Sequence, residues 1–128
     1  MRDRLHDDRG AAAVEFALIF SLILAPLTVG VLEYGRAYAA QLTVTNAARV
    51  AARSLVVTGS ATQARLAAVT AAVGLPNPAA ISVAGLVPCP TDGTTPTRTV
   101  TVTYALPSLT GLFPATSPRG TGAMLCNS

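Results

Sequence analysis

Residues Ala11–Leu32 read AAAVEFALIFSLILAPLTVGVL, 22 residues whose one ionisable group is Glu15. As a helix rising ~1.5 Å per residue, the segment reaches ~33 Å, enough for a hydrocarbon core of about 30 Å. Wrapping such a helix on all sides in a soluble core needs more protein than 128 residues supply. The segment therefore predicts a membrane span. A secretory signal shares the order of charged head and apolar run, but its apolar core is about 7–15 residues long. Here the helical pattern also continues past Leu32.

The flanks orient the span. Arg2, Arg4 and Arg9 precede it, and basic residues favour the cytoplasmic side. Glu33, Tyr34, Arg36 and Tyr38 follow as an interfacial cluster, with the aromatic rings suited to the headgroup level. The expected topology is single-pass in the cytoplasmic (inner) membrane, with the N-terminus inside and the bulk of the chain outside.

Composition narrows the chemistry. All nine basic residues are Arg, so no lysine is available for a Schiff base or a phosphate loop. The one histidine, His6, lies in the polar head, away from any folded core. Beyond residue 10 the carboxylates are Glu15, Glu33 and Asp92, little material for acid–base work. No enzyme, metal site or cofactor is expected. The basic balance does not predict nucleic-acid binding, because the arginines are scattered and lack interleaved aromatics.

Two features of the span point to assembly. Ala13, Ala17, Ser21 and Ala25 recur every four residues, a small-residue stripe that lets helices approach closely, or else plain alanine richness. Glu15 lies in apolar surroundings, where a carboxylate costs roughly 2.5–3.5 kcal/mol on insertion scales. It either snorkels to the headgroups or is neutralised by an amine. Cleavage after Gly10 would create that amine on Ala11, ~6 Å along the helix from Glu15.

The run RGAAAVEFALIF (Arg9–Phe20) resembles the processing site of type IV pilin-like proteins. With Glu33–Arg36 (EYGR) and Asn46–Arg53 (NAARVAAR), the stretch 9–53 resembles the TadE-like family of pseudopilins and minor pilins of the tight-adherence (Flp) pilus. The resemblance implies a prepilin peptidase cutting between Gly10 and Ala11, and a processing or subunit-registration role for Glu15. It implies partners among membrane lipid, that peptidase and other pilin or pilus-assembly subunits, with a place in the membrane or the pilus. The chain departs from the family in carrying its proline at Pro26 rather than near Ser21. The rival expectation is an uncleaved, signal-anchored module that displays an extracellular binding domain.

The remainder predicts an α+β architecture. A leader covers 1–10, a transmembrane helix 11–35, its extracytoplasmic continuation 36–59, and a small C-terminal domain 60–128. The helix is expected to run to about Val57 and stop at Gly59. Arg49 and Arg53 share one face, as partner contacts or as a solvated surface. Ala61–Val73 reads as a second helix ahead of Gly74 and Pro76. Ile81–Val87 and Thr97–Leu106 have strand composition, the latter alternating valine and tyrosine with threonine. Leu106–Gly122, rich in proline and glycine, reads as irregular. Cys89 and Cys126, an even pair in an exported domain, predict a disulfide.

Overall fold

The computed structural model describes residues 4–126, with side chains from residue 10 onward. Met1–Asp3, and with them Arg2, lie outside the described residues, as do the side chains through Arg9. The fold is α+β: a long apolar N-terminal helix, a short second helix and a three-stranded antiparallel sheet. Two units divide the chain, Met1–Gly35 and Arg36–Ser128.

Helix α1 covers Arg4–Thr58 and contains Pro26. Proline removes one N–H donor, yet the helix continues through it. Alanine and leucine, both strong helix formers, dominate the sequence on either side. The helix ends where expected. Gly59 takes a left-handed φ of 64° and its N–H donates to Leu55 O at 3.0 Å.

Ser60 then caps α2, Ala61–Ala71, its hydroxyl accepting from the Gln63 N–H. Past α2 a single 3₁₀ turn, Pro78–Ala80, leads into β1, Ser82–Ala84. Strands β2, Thr97–Thr103, and β3, Arg119–Leu125, complete the sheet in the order β1-β2-β3. The register sets Val83 opposite Val102, Val102 opposite Gly120, and Val100 opposite Gly122. Strand β3 corrects the expectation that Leu106–Gly122 is irregular throughout: it begins at Arg119, inside that segment, and runs past its end to Leu125. Its two glycines lack the branched side chains that mark a strand.

The second unit is organised on the later part of α1. Ala40, Val44, Ala47, Ala48, Ala51, Ala52 and Leu55 are buried at helical spacing. Ala64, Ala68 and Ala72 complete the helical side, and Val100, Val102, Tyr104 and Leu106 come from β2 and the chain just past it. These small helical side chains permit close approach. Gly120 and Gly122 take it further: a Cβ on Gly120 would stand 2.5 Å from Thr45 Cα, and one on Gly122 would collide with Ala48 O. Glycine is required at both because backbone packs on backbone.

Gln41 completes the fit. Its Nε2 donates to Arg119 O at 2.8 Å, and its Oε1 accepts from Arg119 N–H at 3.2 Å. The carboxamide thus serves the first residue of β3 as a neighbouring strand would.

Candidate functional site

The residues singled out around the span all lie on α1. Gly10 and Ala11 are helical and exposed, and nothing stands within 4 Å of a Cβ built at Gly10. Glu15 is exposed four residues beyond Ala11. Ala13, Ala17, Ser21 and Ala25 form an exposed row on one face of the helix.

Apolar exposure surrounds them on every side. Phe16, Leu18, Leu22, Ile23, Leu27 and Val31 are all more than half exposed, Leu22 at 78%. Phe16 and Phe20 stack along the helix with ring centroids 5.8 Å apart. The hydroxyls in this stretch are satisfied internally: Ser21 Oγ donates to Ala17 O at 2.7 Å, and Thr28 Oγ1 to Leu24 O at 2.8 Å. A helix with its polar groups answered from within suits a hydrocarbon solvent. From Gly10, α1 is long and apolar enough to cross a membrane, and none of its most apolar window is buried.

Of the expected interfacial cluster, Glu33 is half-buried and Tyr34 is exposed at the end of the first unit. Arg36 opens the second unit half-buried, with a buried Nη1 that finds no hydrogen-bond partner among the described residues. Tyr38 is exposed. Arg49 and Arg53 lie on the outer face of α1 and are exposed.

Cys89 and Cys126 are the two site residues that the fold brings together from far apart in sequence. Their Cα atoms are 5.7 Å apart and the sulfurs stand at bonding distance, 1.95 Å. The bond closes the loop after β1 onto the end of β3, where Cys126 N–H also donates to Pro96 O at 3.0 Å. In the same loop Asp92 accepts from both the Thr94 hydroxyl and the Thr94 N–H. Those bonds, the hydroxyl first, hold its carboxyl below the usual range. Among the described residues no three His, Cys, Asp or Glu side chains gather in one place.

Residue-by-residue reading misses Gln41, Gly120 and Gly122. The one available signal is the alternation of glycine in Arg119–Ala123, RGTGA, which marks close backbone approach only once β3 is known to be a strand.

No curated protein and no solved structure matches the chain. Residues 10–53, about a third of the chain, match the family model described as TadE-like protein, and the match covers the exposed apolar portion of α1 and most of its packed portion.

Proposed function

We propose that this chain is a pilin-like membrane subunit that helps assemble or initiate a Flp-type, type IV-related pilus. The observation that carries the reading is the TadE-like match beginning at residue 10, at the boundary between the polar head and the exposed apolar helix. In this account a prepilin peptidase removes the ten-residue leader on the cytoplasmic side. The helix then holds the subunit in the inner membrane, and the second unit stands outside, where its cysteines oxidise.

The work is helix packing rather than catalysis. After cleavage Ala11 carries a free α-amine, and Glu15 of a neighbouring subunit meets it, the two charges neutralising each other in lipid. That pairing fixes the axial register between helices. The Ala13/Ala17/Ser21/Ala25 row supplies the close contact.

Mass spectrometry of the membrane-extracted chain from its native host tests the reading. A mature chain beginning at Ala11 is expected, and Gly10→Leu accumulates the precursor. A mature chain that still begins at Met1 makes it an uncleaved, signal-anchored module instead. Glu15→Gln keeps size and hydrogen bonding but removes the charge. It should insert normally and lose piliation; unchanged piliation removes the registration role.

A further inference from the structure

The connection between β2 and β3 carries exposed apolar side chains at its tip. Leu109 is 60% exposed, Leu112 76% and Phe113 41%. From Ala105 to Pro118 the sequence, ALPSLTGLFPATSP, has no charged residue. Large apolar side chains grouped on an uncharged loop call for a partner.

The fold fixes where in the second unit this tip lies. Arg119 is bonded to Gln41, Gly120 lies against Val44 and Thr45, and Gly122 against Ala48 and Arg49. Strand β3 therefore advances along α1 toward higher residue numbers. Strand β2 is antiparallel to it, so the β2–β3 connection turns at the Arg36 end of the unit.

The two arms stay paired beyond the strands. Leu106 N–H donates to Thr116 O at 2.9 Å, and Thr116 N–H to Leu106 O at 3.2 Å. Three extended residues from Arg119 to Thr116 carry the arms ~10 Å farther in that direction, with the tip at 107–115 beyond them. Arg36 is the residue that the apolar segment enters through Gly35. The tip therefore lies at the end of the second unit where that segment joins it.

Ser108 and Thr110 bond to the backbone of the tip. Gly111 N–H donates to Ser108 Oγ at 3.1 Å, and Leu112 N–H to Thr110 Oγ1 at 3.3 Å. Two donors that would otherwise need water are thus answered within the loop.

We propose that the 107–115 tip inserts Leu112 and Phe113, with Leu109, into the headgroup and upper acyl region of the membrane. It gives the second unit a foothold on the lipid besides the span itself. The partner is a lipid surface, recognised by apolar contact rather than by headgroup charge, since the tip carries none. The inference rests on the reading that α1 crosses the bilayer, and the controls below separate the two.

The chain has no tryptophan, so a single one reports alone. Full-length, disulfide-bonded chain is reconstituted into phosphatidylcholine–phosphatidylglycerol vesicles whose lipids are brominated high on the acyl chain. Phe113→Trp is compared with Phe20→Trp in the span and with Val57→Trp at the far end of the second unit. Where Phe113→Trp prevents formation of the Cys89–Cys126 bond, Leu112→Trp takes its place.

The expected result is blue-shifted emission and bromine quenching for Phe20→Trp and Phe113→Trp alike, severalfold stronger than for Val57→Trp. Phe113→Trp quenched no more than Val57→Trp, with Phe20→Trp quenched, overturns the foothold and leaves the span intact. Blue-shifted emission without quenching means a protein contact and also overturns it. An unquenched Phe20→Trp removes the span and the foothold together.

Discussion

One helix, α1, runs through both units, and its two portions differ in which residues they leave exposed. Across Ala11–Thr28 every residue is exposed, although nearly all are apolar. From Ala40 onward the same helix buries seven residues at helical spacing and turns Leu42, Asn46, Arg49 and Arg53 outward. Alanine is abundant in both, so alanine content does not distinguish them. The difference lies in which residues fill the remaining positions. In the first portion leucine, isoleucine and phenylalanine go all the way round; in the second, polar and charged residues occupy one side. A helix that is apolar all round belongs in lipid, or deep inside a much larger protein, and a one-sided helix belongs on a core.

The sharpest way to break this comparison is to add a methyl-bearing side chain to glycines in each portion's environment. Gly122→Val drives a Cβ into Ala48 O and should cost at least about 3 kcal/mol. The second unit should lose its thermal transition and its protease resistance. Gly35→Val, with nothing within 4 Å of the new Cβ, should leave both unchanged.

Truncating leucine gives the next contrast. Leu55 is fully buried, and Leu55→Ala should lower the stability of the second unit by roughly 2–5 kcal/mol in denaturant titration. Leu22 is 78% exposed, and Leu22→Ala should leave that titration unmoved while weakening membrane insertion.

Removing the cross-link probes the second unit alone. The bond spans a sequence separation of 37, and Cys89→Ser with Cys126→Ser should cost roughly 3–4 kcal/mol by the chain-entropy argument. Insertion of the span should not change. Full alkylation of both thiols without prior reduction would deny the bond and the outside topology together.

Smaller effects follow at the edges. Gln41→Leu strips Arg119 of both its side-chain bonds and should cost about 1–2 kcal/mol. At Asp92 the carboxyl is held low by Thr94, so its contribution is present above the ordinary carboxylate pKa and is lost as pH falls through the depressed value. Thr94→Val should move that titration back up, as read by carboxyl NMR shifts.

The first portion is legible in the sequence almost completely, because an all-round apolar run is a composition pattern that needs no partner residue. The 22-residue run Ala11–Leu32, with Glu15 as its one ionisable group, is visible without knowing the fold. The helix stop at Gly59 and the cap at Ser60 are legible for a similar local reason. Strand β2 is legible from its alternation; it ends at Thr103, and beyond it Tyr104 N–H still donates to Pro118 O across the pair at 3.1 Å.

Strand β3 is not legible. Its requirement is set by α1, more than seventy residues earlier, whose backbone leaves no room for a side chain at positions 120 and 122. Glycine there reads locally as a strand breaker, and only the distant helix turns it into a packing residue. Gln41 is hidden in the same way, since nothing in its own neighbourhood announces Arg119. Phe113 is hidden for another reason: an apolar residue between proline and glycine carries no periodicity at all.

Spin-label accessibility along α1 tests the central contrast most directly. Single labels walk from Ala12 to Leu32 and from Tyr38 to Val57 in dilute, full-length chain reconstituted in vesicles, with oxygen and a water-soluble nickel chelate as relaxation agents. The account predicts high oxygen and low nickel access at every position of the first walk, with no helical period. In the second it predicts a 3.6-residue period, nickel reaching Tyr38, Leu42, Asn46, Arg49, Arg53 and Val57, and neither agent reaching Ala40, Val44, Ala47, Ala51 or Leu55. Nickel access within the first walk, or a helical period in its oxygen access, would contradict the account.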